Sequence, residues 1–220
     1  MKKCIGIISY LPNEENTRKA RAERINQVIS KCDELFNLPI IIVAQNWKEA
    51  DDIKTSSNCI VYHYEKLGIP VARNTLRDLF LKSNYEYLIM LDDDCLIHGN
   101  DATEYINEIE EHPDGFGFLY LKQLKLCAIS KYVYSQVEMP NIDAEKNEGT
   151  EDTIFFMVLK YQFRDKMFMF KTKDIWLDLD ETFTDSTWRG PKIKPLELML
   201  NTRKILLELS RTNWLLNDEE

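Results

Sequence analysis

Short, uninterrupted apolar runs, separated by segments of helical period, are what most constrain the fold of this chain. Lys3 to Ser9 (KCIGIIS), Pro39 to Ala44 (PIIIVA) and Tyr85 to Leu91 (YEYLIML) are too brief for helices and read as strands covered on both faces. Cys59 to Tyr62 adds a shorter strand. Between the runs, Ala20 to Phe36 sets Ile25, Val28, Ile29, Cys32, Leu35 and Phe36 at helical spacing with Arg and Glu interleaved. Pro70 sits where a second helix can start, and Val71, Leu76, Leu79 and Phe80 give it an apolar stripe up to Lys82. This alternation predicts an α/β sheet of parallel strands, with ligands beyond their carboxyl ends.

The later chain continues the pattern more loosely. Ala102, Tyr105, Ile106 and Ile109 predict a helix, Phe116 to Leu121 and Leu126 to Ser130 strands, and Glu138 to Gly149 a polar, turn-rich loop. Thr150 can cap a helix through Ile154, Phe155, Val158 and Leu159, and Lys166 to Lys171 alternates like a strand. Asp178 to Pro195 reads as a loop carrying Trp188, Arg189, Lys192 and Lys194. Leu196 to Leu216 reads as a leucine-rich helix that packs on the domain or pairs subunits into a homodimer.

Composition removes several function classes. A formal charge of -9 and a pI near 5.0 work against non-specific binding to nucleic acid or an anionic membrane. No apolar run approaches the ~20 residues of a membrane span, and Met1-Lys2-Lys3 with its apolar sequel reads as a first strand rather than a leader, so a soluble, cytoplasmic protein is expected. The five cysteines form no C-x-x-C pair and read as reduced core thiols, and the three histidines make no zinc-ligand spacing. The seven glycines build neither a G-x-x-x-x-G-K-[ST] loop nor a G-x-G-x-x-G fingerprint.

Asp92-Asp93-Asp94, directly after the fourth strand, is the feature with chemistry in it. Adjacent carboxylates repel, and a cation is the natural remedy. In an extended or tightly turned segment Asp92 and Asp94 project to one side and can share a hard cation such as Mg2+ or Mn2+, while Asp93 points elsewhere. The alternative is a solvated acidic turn. A second pair, Glu151-Asp152, opens a helix after Gly149-Thr150, where free N–H groups and the helix dipole favour ionised carboxylates. Such acids either stabilise the first turn or serve as a base.

The segment Pro70 to Asp94, with Val71-Ala72-Arg73-Asn74 upstream of Tyr85 to Asp94, resembles the nucleotide-sugar-binding half of GT-A-fold glycosyltransferases, particularly the inverting family 2 type. The likeness runs more loosely from Lys3 to about Leu159. It implies a GT-A-like, Rossmann-type three-layer sandwich with a mainly parallel central sheet over residues 1–195. Its nucleotide-sugar half would span about 1–100 and its acceptor half about 101–195, with the helix of 196–220 appended. It also implies a UDP-sugar donor, Mn2+ or Mg2+ bound by Asp94 with Asp92, and nucleotide or sugar contacts from Asp92, Asp93 and Arg73. Asp152 would be the general base, with Glu151 beside it.

Some family features are missing here. Where many members carry a uracil-reading acidic pair, this chain has Ala44-Gln45-Asn46-Trp47; Gln45 or Asn46 could bond a base edge and Trp47 could stack on it. Ser9, ending the first strand, is a further nucleotide contact, and Arg18, Arg21 or Arg24 could reach a phosphate or line a solvated helix face. No late histidine completes a metal shell, and either Asp185 or water would fill that position. The expected reaction is transfer of a single sugar to a hydroxyl of a glycan, cell-wall polymer, protein or modified nucleobase. A nucleotidyltransferase, lacking here its glycine-rich first loop, and a non-catalytic binding module of the same fold are the rival readings. A haloacid-dehalogenase-type phosphatase would want its acids after the first strand.

Overall fold

The computed structural model describes residues 1–47, 53, 58–65, 67–119, 125–139 and 150–179. Its centre is a seven-stranded sheet in the order β3-β2-β1-β4-β7-β6-β8, formed by β1 (Lys3–Tyr10), β2 (Ile40–Gln45), β3 (Cys59–Tyr64), β4 (Tyr87–Asp92), β6 (Phe116–Phe118), β7 (Leu126–Ser130) and β8 (Met167–Met169). Only β7 runs against the others. The helices are α1 (Glu15–Phe36), α2 (Ile69–Lys82), α3 (Thr103–Glu111), the short α4 (Lys131–Ser135) and α5 (Thr150–Gln162).

Pleating sorts the sheet into two cores. Ile5, Ile7, Ile40, Ile42, Ile89 and Leu91 pack with Ile25, Val28 and Cys32 of α1 and Tyr105 and Ile109 of α3. Cys4, Ile41, Val43, Leu88, Met90 and Ile129 point the other way, toward Leu76 and Phe80 of α2, Val133 of α4 and Ile154, Phe155 and Val158 of α5. The result is a mixed α/β sandwich of three layers with a mainly parallel central sheet. All five cysteines are free thiols, as burial among apolar residues favours; it pushes Cys59 up to about 11 and Cys4 up to about 12.

Two details bring α2 close to the site. A Cβ at Gly6 would lie 2.8 Å from Leu76 Cδ2, so the missing side chain on β1 lets α2 sit tightly against the sheet. Gly68, with φ +81°, turns the chain into α2, and Pro70 occupies its first turn without forfeiting a hydrogen bond.

The structure also departs from the expected elements. Helix α1 starts at Glu15, a full turn before the apolar stripe, because Asn46 Nδ2 ties down the preceding loop through Leu11 O (2.6 Å) and Asn13 Oδ1 (3.0 Å). A separate antiparallel pair, β5 (Cys95–His98) with β9 (Trp176–Leu179), and the helix α4 were not foreseen; both are too short to show a period. The loop at 140–149, Asp185, Trp188 to Lys194 and the helix at Leu196 to Leu216 lie outside the described residues.

Candidate active site

Parallel register brings the ends of three strands together, pairing Tyr10 of β1 with Gln45 of β2 and Ile8 of β1 with Asp92 of β4. The cleft there is lined by Tyr10, Arg21, Gln45 and the three aspartates. A wider groove between α1 and β5 contains none of the aspartates.

Each aspartate has a different setting. Asp93 faces α1: one oxygen pairs with Arg21 Nη1 at 2.8 Å and the other accepts from Ser9 Oγ at 2.5 Å. Trp47 Nε1 donates to the same Ser9 Oγ at 3.2 Å. Arg21 is 3% exposed and Asp93 7%, so this is a buried ion pair with its hydrogen bonds largely met. Arg21 belongs to the buried stripe of α1, four residues before Ile25, and is not the solvated alternative.

Asp92 looks toward α2. Its Oδ1 accepts from Arg73 Nη2 at 3.2 Å, and Nη1 of the same guanidinium pairs with Asp152 Oδ1 of α5. Arg73 therefore joins the strand-end acids to the helix-start acid across the sequence. Burial pushes the Asp92 carboxyl up to about 6; Arg73 opposes the shift, whereas the charges of Asp94 and Asp152 add to it.

Asp94 is 7% exposed, with Lys125 Nζ 3.7 Å from its Oδ1. Cys95 Sγ donates to that oxygen at 3.4 Å. One ligand atom each from Asp92, Asp94 and Cys95 lies within 4.8 Å of the others. Burial, followed by the Asp92 and Asp94 charges, holds the Cys95 thiol far above its ordinary pKa, in keeping with its role as a proton donor to Asp94. The two carboxylates of this group, Asp92 and Asp94, suit a hard divalent cation.

The remaining candidates divide. Gln45 lines the cleft, but its Oε1 already accepts from Leu67 N–H at 2.9 Å. Asn46, with φ +60°, spends its amide on the Leu11–Asn13 loop. Ser9 is 1% exposed and committed to Asp93 and Trp47. The expectation that Trp47 offers a stacking face to a base is corrected: the ring is 4% exposed and packed in the α1 core. Glu151 lies in the first turn of α5 next to Asp152.

Sequence reasoning gave no role to Asn74 beyond its place in the A-R-N segment. Its Nδ2 donates to Met139 O at 2.8 Å, and its Oδ1 accepts from Met139 N–H at 2.7 Å. Arg77, one turn on, donates to Tyr134 O at 2.7 Å, Ser135 O at 3.2 Å and Glu138 Oε1 at 3.2 Å. Consecutive turns of α2 thus hold the chain from Tyr134 to Met139. Polar residues on a helix carry no sequence signal of such backbone clips.

No family model matches this sequence, and no curated protein matches it. Solved structures do share its fold. Staphylococcus aureus TarS 1–349 in complex with UDP-GlcNAc superposes with a TM-score of 0.63 at 13% identity, over 95% of this chain and 66% of that one. The same protein in complex with UDP gives 0.55 at 11% identity, over 99% and 73%. Another TarS 1–349 structure, with a TM-score of 0.57, is covered over 59% of its length, so this chain spans about three fifths of it. A putative glucose-1-phosphate thymidylyltransferase from Bacillus anthracis superposes at 0.50 with 10% identity, over 92% and 94%. At these identities the likeness carries the fold alone, a GT-A-like α/β architecture.

Proposed function

We propose that this protein is a metal-dependent, inverting glycosyltransferase that moves a single sugar from a UDP-sugar to an acceptor hydroxyl. The observation that carries the reading is the guanidinium of Arg73, set between the strand-end carboxylate of Asp92 and the helix-start carboxylate of Asp152. It joins a donor-binding half to a base-bearing half at the end of the sheet where this architecture takes ligands. The superposition on TarS in complex with UDP-GlcNAc supports UDP as the nucleotide.

In this mechanism Asp152 accepts the proton of the acceptor hydroxyl as its oxygen attacks the anomeric carbon from the face opposite the diphosphate. The carbon–oxygen bond to the diphosphate breaks, its electron pair leaves with UDP, and the anomeric configuration inverts. A divalent cation held by Asp94 and Asp92 would stabilise the charge on the departing diphosphate. Arg73 binds the diphosphate alongside it. Gln45 contributes to the nucleotide face, with Ser9 and Asp93 buttressing the strand end beneath it. Asp185 is the proposed third metal ligand, and a cytoplasmic setting is part of the proposal. Among the described residues, no helix is long and apolar enough to cross a membrane.

A nucleotidyltransferase is the second reading, favoured by the thymidylyltransferase superposition. The loop after β1, Leu11-Pro12-Asn13, lacks the glycines with which such enzymes wrap a triphosphate, and glycosyl transfer is preferred.

Thermal unfolding with UDP-, GDP-, CMP- and dTDP-sugars, each with Mn2+ or EDTA, tests the proposal, because a ligand of the native state raises Tm by mass action. A rise with a UDP-sugar that needs Mn2+, and is lost in Asp94→Ala, is expected. No rise with any nucleotide sugar leaves the fold as a binding module.

Asp92 predicts a pH signature. Its folded-state pKa lies above the unfolded value, so its favourable contribution is complete below about pH 4 and lost as pH rises through about 6. In EDTA at pH 8, Asp92→Asn should therefore melt above the wild type, by roughly 2–6 °C, with the gap closing toward pH 4. Saturating Mn2+ and UDP should reverse the order. A variant that melts no higher in EDTA would remove the case for a cation-seeking cluster.

A further inference from the structure

We infer that Arg73 is an exchangeable partner that holds the base Asp152 until a diphosphate takes its place, so that the donor binds first and releases the base for the acceptor. This rests on the proposed function and adds an order of events to it.

The guanidinium is 5% exposed and offers its two terminal nitrogens to two acids, Nη2 to Asp92 and Nη1 to Asp152. The acids differ in freedom. The side chain of Asp152 is 37% exposed, at the start of α5, whereas that of Asp92, the last residue of β4, is 22% exposed. A diphosphate entering the cleft presents oxygens that can take the same fork-shaped donor in two parallel bonds. Asp152 is the partner it can displace, because its carboxylate is the more exposed of the two and water or an acceptor hydroxyl can meet it once it is released.

The scaffold around the exchange is braced independently. Asn74, the next residue, closes two hydrogen bonds on the backbone of Met139, and Arg77 holds the carbonyls of Tyr134 and Ser135. Arg73 can thus change partners while the neighbouring contacts keep α2 docked on the chain from Tyr134 to Met139. With the cleft empty, the acceptor would meet a base whose oxygen is already engaged, which disfavours activation of a hydroxyl before the donor is in place.

The test is UDP binding by calorimetry in saturating Mn2+, on the wild type, Asp152→Asn, Arg73→Met and the double variant. If Asp152 competes with the diphosphate for Arg73, Asp152→Asn binds UDP roughly three- to tenfold more tightly than the wild type, the scale of one charge-assisted hydrogen bond. That gain should vanish when Arg73 is already methionine. A gain of equal size in both backgrounds would mean plain charge repulsion and overturn the exchange, as would no gain at all. Loss of UDP binding in the wild type itself would instead overturn the proposed function. Circular dichroism of each variant, matching the wild type at the assay temperature, keeps misfolding from imitating either result.

Discussion

Asp152→Asn is expected to lower sugar transfer by about two to four orders of magnitude while UDP and Mn2+ still bind. Asparagine keeps the size of the side chain, but it cannot take a proton from the acceptor hydroxyl. The fold should tolerate the change, because the Asp152 side chain is 37% exposed and the core of α5 is carried by Ile154, Phe155, Val158 and Leu159. Stability should move little, because asparagine keeps an oxygen for Arg73 Nη1 and Asp92 still pairs with the same guanidinium. Steady-state transfer with the donor identified by thermal unfolding, alongside calorimetry with UDP, separates the two effects. Transfer retained within tenfold of the wild type would take the base role from Asp152 and turn attention to Glu151 beside it.

The sheet was legible in the sequence because its strands are buried on both faces. β1, β2 and β4 are continuous apolar runs that nothing else in a chain of this size explains, and their parallel pairing follows from the helices between them. The Asp92–Asp94 cluster was legible for the same reason, since acids abutting such a strand stand at its carboxyl end. Arg21 was half legible: it falls on the helical stripe of Ile25, Val28 and Cys32, but only the fold shows that the stripe faces Asp93. The hydrogen bonds from Asn74 and Arg77 were not legible. They join side chains to backbone groups more than fifty positions away, where no periodicity or residue type marks the partner. Trp47 was misread because an aromatic after a strand end suits a ligand platform and a core filler equally, and burial decides between them.

The adjacent acids Asp93 and Asp94 should separate cleanly in experiment. Asp93→Ala removes the carboxylate from Arg21, a guanidinium 3% exposed, and leaves Ser9 and Trp47 without the acceptor that organises them. Breaking a buried pair from one side costs about 3–5 kcal/mol. For a chain of this length that is a fall in Tm of roughly 6–20 °C. Asp94→Ala relieves like-charge crowding beside Asp92, which offsets the loss of its 3.7 Å contact with Lys125 and of a weak thiol bond, so its melting temperature without ligand should stay near the wild type. Its loss should appear instead in Mn2+-dependent UDP affinity. Asp93→Asn refines the point: it keeps an oxygen for Ser9 or for Arg21 but loses the charge, and should fall between wild type and alanine. Were Asp93→Ala to melt like the wild type while losing nucleotide affinity, the roles of the two residues would be exchanged, and the buried pair with Arg21 would not be what holds the start of α1 against the end of β4.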